Sequence, residues 1–118
     1  MVFNESTEHV FKALEYVSAC TNFRLITSNE IASACDIPVE WLYKLLQQLV
    51  KVNILQSKRG PKGGFLLVRP LNQVTALEVI EAVEGPVRSK LEFTPLQIAV
   101  HKLVEALRNI TVAKVLGL

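Results

Sequence analysis

Six cationic side chains, Lys44, Lys51, Lys58, Arg59, Lys62 and Arg69, lie between Glu40 and Glu78 with no carboxylate among them. The whole chain of 118 residues carries a formal charge of only +2, so positive charge is concentrated in one segment. Ammonium and guanidinium groups distributed in this way can displace counterions from a polyanion, and double-stranded DNA is the leading partner. Glu40, Tyr43, Lys44 and Gln47 add a second pattern, since spacings of three, four and seven put them on one face of a helix. Gln47 and Lys44 can donate to base edges, Tyr43 can touch a phosphate or a thymine methyl, and Glu40 can accept from cytosine N4.

Other chemistries fit the residues less well. Lys58-Arg59-Gly60-Pro61-Lys62-Gly63-Gly64-Phe65 has glycines enough for a phosphate-binding loop but lacks the GxxxxGK[ST] spacing and leads into an apolar strand-like run. Ser57, Ser89, His9, His101 and the carboxylates show no spacing that pairs a nucleophile with its base, so no enzymatic activity is expected. His101 and Glu105 stand one helical turn apart, a pattern more common for a surface histidine than for a metal ligand. Cys20 and Cys35 are the two cysteines, without CxxC spacing; they read as core thiols or, alternatively, as a redox switch.

The elements that must position these groups follow from periodicity and breakers. A helix is expected from about Thr7 to Cys20, with Val10, Phe11, Ala13, Leu14 and Val17 on one stripe. Thr27 and Glu30 form a capping box ahead of a short helix ending near Cys35-Asp36. Pro38 then opens a helix from Val39 to about Val52 that buries Leu42, Leu45, Leu46 and Leu49. Two helices joined by a short turn make a helix-turn-helix. Ile54–Lys58 and Phe65–Val68 bracket the glycines as a hairpin wing, whose Arg59 suits a narrow minor groove and Lys62 a phosphate. Thr75 and Glu78 cap a further helix ending at Gly85-Pro86, and Thr94-Pro95 starts a last one. Along it Leu96, Val100, Leu103 and Leu107 form a seam widened by Ile110, more apolar face than a monomer needs, so a homodimer is expected.

The fold class is therefore mainly α with a small β-hairpin wing, an α+β winged helix-turn-helix followed by a long dimerisation helix. Residues 1–85 make the DNA-binding domain, with the wing at 54–68; residues 86–118 make a linker and dimerisation region, all in one compact unit. Half the residues are apolar, yet no run approaches the roughly 18 needed to cross a membrane. Met1-Val2-Phe3-Asn4-Glu5 lacks the features of a secretory signal, so a cytoplasmic location is expected.

Glu30-Ile31-Ala32, Ile37-Pro38, Trp41-Leu42, Leu45 to Leu49, Ser57 to Phe65 and Val79 to Pro86 together resemble the Rrf-two family of transcriptional regulators. The resemblance implies a homodimeric winged helix-turn-helix protein that acts as a repressor on a near-palindromic operator. It places the recognition helix in the major groove, Arg59 in the minor groove and Lys12 at a basic, backbone-contacting position. His9 stands where the family usually has tyrosine. Cluster-binding members carry three cysteines just before the long helix, whereas Val87-Arg88-Ser89-Lys90-Leu91-Glu92-Phe93 has none, so no iron-sulfur cluster is expected. The signal is then a thiol switch, a small-molecule effector or a regulatory protein. The alternative function is a winged-helix interaction module whose basic segment meets an acidic protein partner.

Overall fold

The structure, a computed structural model, describes residues 5–20, 24–60, 63–85 and 97–118, the side chains of 97–102 excepted. Its helices are α1 (Glu5–Ala19), α2 (Ser28–Cys35), α3 (Val39–Lys51), α4 (Ala76–Glu84), α5 (Gln97–Arg108) and α6 (Val112–Leu116); β1 (Leu55–Lys58) and β2 (Gly64–Leu67) form one antiparallel hairpin.

Three helices form the helix-turn-helix body because their apolar stripes converge. Val10, Ala13, Leu14 and Val17 of α1 meet Ile31 of α2 and Leu42, Leu45, Leu46 and Leu49 of α3 in a single buried core. Each leucine so removed from water contributes about 1.5–3 kcal/mol relative to exposure. The left-handed conformation of Asp36, with φ 56°, ends α2 and permits the turn into α3. Asn53, with φ 62°, ends α3 in the same way, and its neighbour Ile54 bonds back to the Leu49 carbonyl at 3.0 Å before β1 begins.

The wing pairs Leu55 with Leu67 and Lys58 with Gly64. It is anchored to the body by a bridge between Ile26 and Phe65, so the residue leading into α2 acts as a third strand. Glycine is required at two positions of this wing. A Cβ on Gly63 would lie 2.1 Å from the Lys58 carbonyl, and one on Gly64 would lie 2.7 Å from the Ile26 carbonyl.

Both predicted capping boxes form only in half. Thr27 and Thr75 accept from the amides of Glu30 and Glu78 at 3.1 Å. The two carboxylates, instead of reaching back to the cap amides, turn to arginines: Glu30 to Arg24 and Glu78 to Arg69. A guanidinium offers charge as well as hydrogen bonds, so it outcompetes a neutral amide.

The C-terminal region differs from the expected single seam. The helix α5 ends at Arg108, and Ile110 lies beyond it, just before an isolated bridge that joins Thr75 to Thr111. Ala76 donates to the Ile110 carbonyl and Val112 to the Val74 carbonyl, each at 2.7 Å. Thr111 then caps α6 through the Lys114 amide at 3.1 Å. Val112 and Ala113 of α6 enter the main core. Leu103 and Leu107 are half-buried against Leu77, Ile80, Val104 and Phe11 of the same chain, so part of the predicted seam is used internally. Leu96 lies outside the described residues, as does the side chain of Val100.

Candidate nucleic-acid interface

The amphipathic division of α3 sets the interface. With Leu42, Leu45, Leu46 and Leu49 turned inward, Glu40, Tyr43 and Lys44 are exposed and Gln47 is half-exposed. Tyr43 is 50% exposed, unusually so for a large aromatic, and its ring stands edge-on to Phe65 of the wing with centroids 6.2 Å apart. That contact sets the spacing between α3 and the hairpin.

Between them lies an open notch of roughly 440 Å³. Tyr43 and Gln47 form its α3 wall, Ser57, Lys58, Arg59 and Gly60 its wing wall, and Thr27 and Ser28 at the start of α2 complete it. No carboxylate is among the lining residues. The first amides of α2 carry the partial positive charge of a helix N-terminus, which adds to that of Lys58 and Arg59. An anionic rod laid across this notch meets donors on every wall, and the exposed α3 face can enter a groove beside it.

The predicted residues therefore fall into groups. Tyr43, Gln47, Lys58 and Arg59 come together in the notch; Glu40 and Lys44 are exposed on α3 outside its lining; Lys12 is exposed on α1. Lys62 lies outside the described residues. Arg69 is set apart from the other cations, because Nη2 donates to Glu78 at 2.8 Å, Nη1 to the Gln73 carbonyl at 3.2 Å and Nε to the Asn53 carbonyl at 3.4 Å. It is a structural clasp between the ends of α3, β2 and α4. Thr27, Ser28 and Ser57 are polar notch residues that side-chain charge does not reveal; the helix-start signal at Thr27 marks the first two.

A second clasp holds α2. Arg24 grips Glu30 with both terminal nitrogens, at 2.9 and 2.6 Å, and the Tyr16 hydroxyl donates to the same carboxylate at 2.6 Å. The Arg24 and Tyr16 hydrogen bonds hold the Glu30 carboxyl down to about 2, and acceptance by Glu30 pushes the Tyr16 phenol up to about 12. On α1, Trp41 from the first turn of α3 donates its indole N–H to Ser6 at 3.1 Å and meets the buried His9 ring edge-on at 4.6 Å.

The sequence pattern of the Rrf2 family, described as an iron-dependent transcriptional regulator, matches residues 3–116. The chain belongs to the Rrf2 family. A protein of Aquifex aeolicus named for the HTH-type transcriptional regulators is 33% identical over 81 residues, 69% of this chain and 56% of that protein. The chain spans about half the length of the curated relatives it matches. Its fold is similar to that of T. potens IscR, with a TM-score of 0.75 and 21% identity over 99% of this chain and 87% of that one. It is equally similar to CymR of B. subtilis, with a TM-score of 0.76 and 18% identity over 98% and 95% of the two chains. Rrf2 proteins are transcriptional regulators rather than enzymes, and among the described residues no helix is long and apolar enough to cross a membrane.

The description of the Rrf2 family implies an iron centre, and clusters of that kind are held chiefly by thiolates. This chain has only Cys20 and Cys35. The Cys35 thiol donates to the Lys12 carbonyl in the middle of α1 at 3.7 Å, while Cys20, just beyond the C-terminal end of α1, lies 4.0 Å from Arg24. Two turns of helix, about 12 Å, separate those anchors. Among the described residues no three His, Cys, Asp or Glu side chains gather into a metal-holding group, and two thiols alone do not fit a cluster. Both cysteines are free thiols. Burial pushes the Cys35 thiol up, with Lys12 opposing and Glu15 adding to the shift.

Proposed function

We propose that this chain is a cluster-free, DNA-binding transcriptional regulator that acts as a homodimer, most simply as a repressor in the cytoplasm, with no enzymatic activity. In this reading α3 enters the major groove, where Glu40, Tyr43, Lys44 and Gln47 meet base edges and phosphates. Lys58, Arg59 and Lys62 of the wing lie along the adjacent backbone and minor groove, and Lys12 touches a phosphate from α1. The single observation that carries it is the notch: two cations of the wing and two polar side chains of α3 share one open concavity free of carboxylates.

Dimerisation through the α5 region is part of the proposal, with Leu96, Val100, Ile110 and the sides of Leu103 and Leu107 left open by their internal packing as its apolar surface. Ile110, Val115 and Leu118 remain exposed on the chain as described, which supports a contact near the C-terminal end as well. Two notches related by a two-fold axis would read half-sites about one helical turn apart. Selection from random duplex DNA tests the whole reading. It should return a near-palindrome; recovery of no sequence, with no affinity for duplex at low salt, would remove the assignment.

A further inference from the structure

A second concavity of about 390 Å³ opens where the end of α1 meets β2, and it shares no lining residue with the notch. Its floor is apolar, from Val17, Ile26, Leu67 and Val68, and its size falls in the range of small-molecule sites, about 300–1,000 Å³. Arg24 and Arg69 are both among its lining residues, and their carboxylate partners Glu30 and Glu78 are not. Arg69 has all three nitrogens engaged elsewhere. Arg24 is half-exposed and spends only its terminal nitrogens on Glu30, which leaves Nε–H to donate. An apolar floor beside an unused guanidinium N–H selects an apolar body with one hydrogen-bond-accepting, anionic end.

We propose that this pocket binds a small organic carboxylate, its tail on Val17 and Val68 and its head at Arg24, and that occupancy weakens DNA binding. The second clause rests on the DNA-binding reading above. Two walls of the pocket carry the coupling. Arg24 holds Glu30 in the first turn of α2, and Ile26 ties β2 to the same segment. A ligand carboxylate that accepts from the Arg24 Nε–H shares the guanidinium charge with Glu30, weakens that pair and so loosens the start of α2, where Thr27 and Ser28 line the notch. Each ligand state then favours a different placement of α2 relative to the wing.

The test is an amide-shift titration of the isotope-labelled protein, without DNA, by hexanoate, hexanol and hexylamine. Hexanoate should saturably shift Val17 to Cys20 and Leu66 to Val68; hexanol should bind about tenfold more weakly and hexylamine not at all. Val68→Trp, at a position 49% exposed and therefore tolerant of substitution, should fill the pocket and abolish the shifts. Glu30→Gln should tighten hexanoate by freeing Arg24. Absence of a saturable hexanoate shift, equal binding of hexanol, or shifts that persist in Val68→Trp would overturn the site. On a selected operator, saturating hexanoate should raise the Kd at least about fivefold in the parent and not in Val68→Trp. An unchanged Kd overturns the coupling, whereas a parent that binds no operator without ligand overturns the DNA reading instead.

Discussion

Ile26 and Phe65 exchange both of their backbone hydrogen bonds, at 2.9 and 2.8 Å, and this one residue pair fixes the wing against the start of α2. Gly64 makes the exchange possible, because its missing Cβ leaves room for the Ile26 backbone. Gly64→Ala should therefore destabilise the protein by about 1–3 kcal/mol. Urea unfolding gives the magnitude, and amide exchange should be accelerated first at Ile26 and Phe65. A stability equal to the parent would mean that the wing is not pinned in this way.

The Tyr16–Glu30–Arg24 clasp has a defined pH window. Glu30 is depressed from 4.5 to about 2, so its contribution to stability is complete above 4.5 and is lost as pH falls through about 2. Tyr16 is raised from 10.0 to about 12, so its contribution is complete below 10.0 and is lost as pH rises through about 12. In a Tyr43→Phe background, phenolate absorbance should develop only near about 12, and Glu30→Gln should return it towards 10.0. A phenol that titrates normally in the parent would show that Tyr16 does not donate to Glu30.

Trp41 is the single tryptophan, and it joins the first turn of α3 to α1 through Ser6 and His9. Trp41→Phe keeps an aromatic ring but loses the indole donor, for a cost of about 0.5–1.5 kcal/mol. Ser6→Ala should reproduce most of that cost in thermal or urea unfolding, and the two changes combined should fall short of their sum. Full additivity would exclude the bond as the source.

Much of this architecture is legible in the residues. Leucine spacing locates α3, threonine oxygens locate the starts of α2 and α4, and Gly63-Gly64 locates the wing. Other features depend on partners that no local pattern names. Charge alone counts Arg69 among the DNA-facing cations, whereas Glu78, assigned by spacing to a capping box, is its real partner. The helix α6 is too short to show a periodic stripe; it exists because Val112 and Ala113 are buried and because Thr111 pairs with Thr75, far away in sequence. The notch itself was half legible: its α3 face follows from periodicity, while the closing contact between Tyr43 and Phe65 requires the folded wing.

The cysteine positions predict the outcome of a reconstitution. Anaerobic incubation with iron and sulfide should yield no cluster absorbance, and operator affinity should be insensitive to an iron chelator. A stable, stoichiometric cluster would require ligands that Cys20 and Cys35 cannot supply alone.

The salt dependence of operator binding tests the notch most directly. For the parent, the logarithm of the affinity should fall linearly with the logarithm of salt concentration, as counterions are released from the phosphates. The Lys58→Ala/Arg59→Ala double variant should lose affinity and flatten that slope by about two, while Arg69→Ala, corrected for its lower stability, leaves the slope unchanged. An unaltered slope in the wing variant, or an equal flattening in Arg69→Ala, would contradict the interface described.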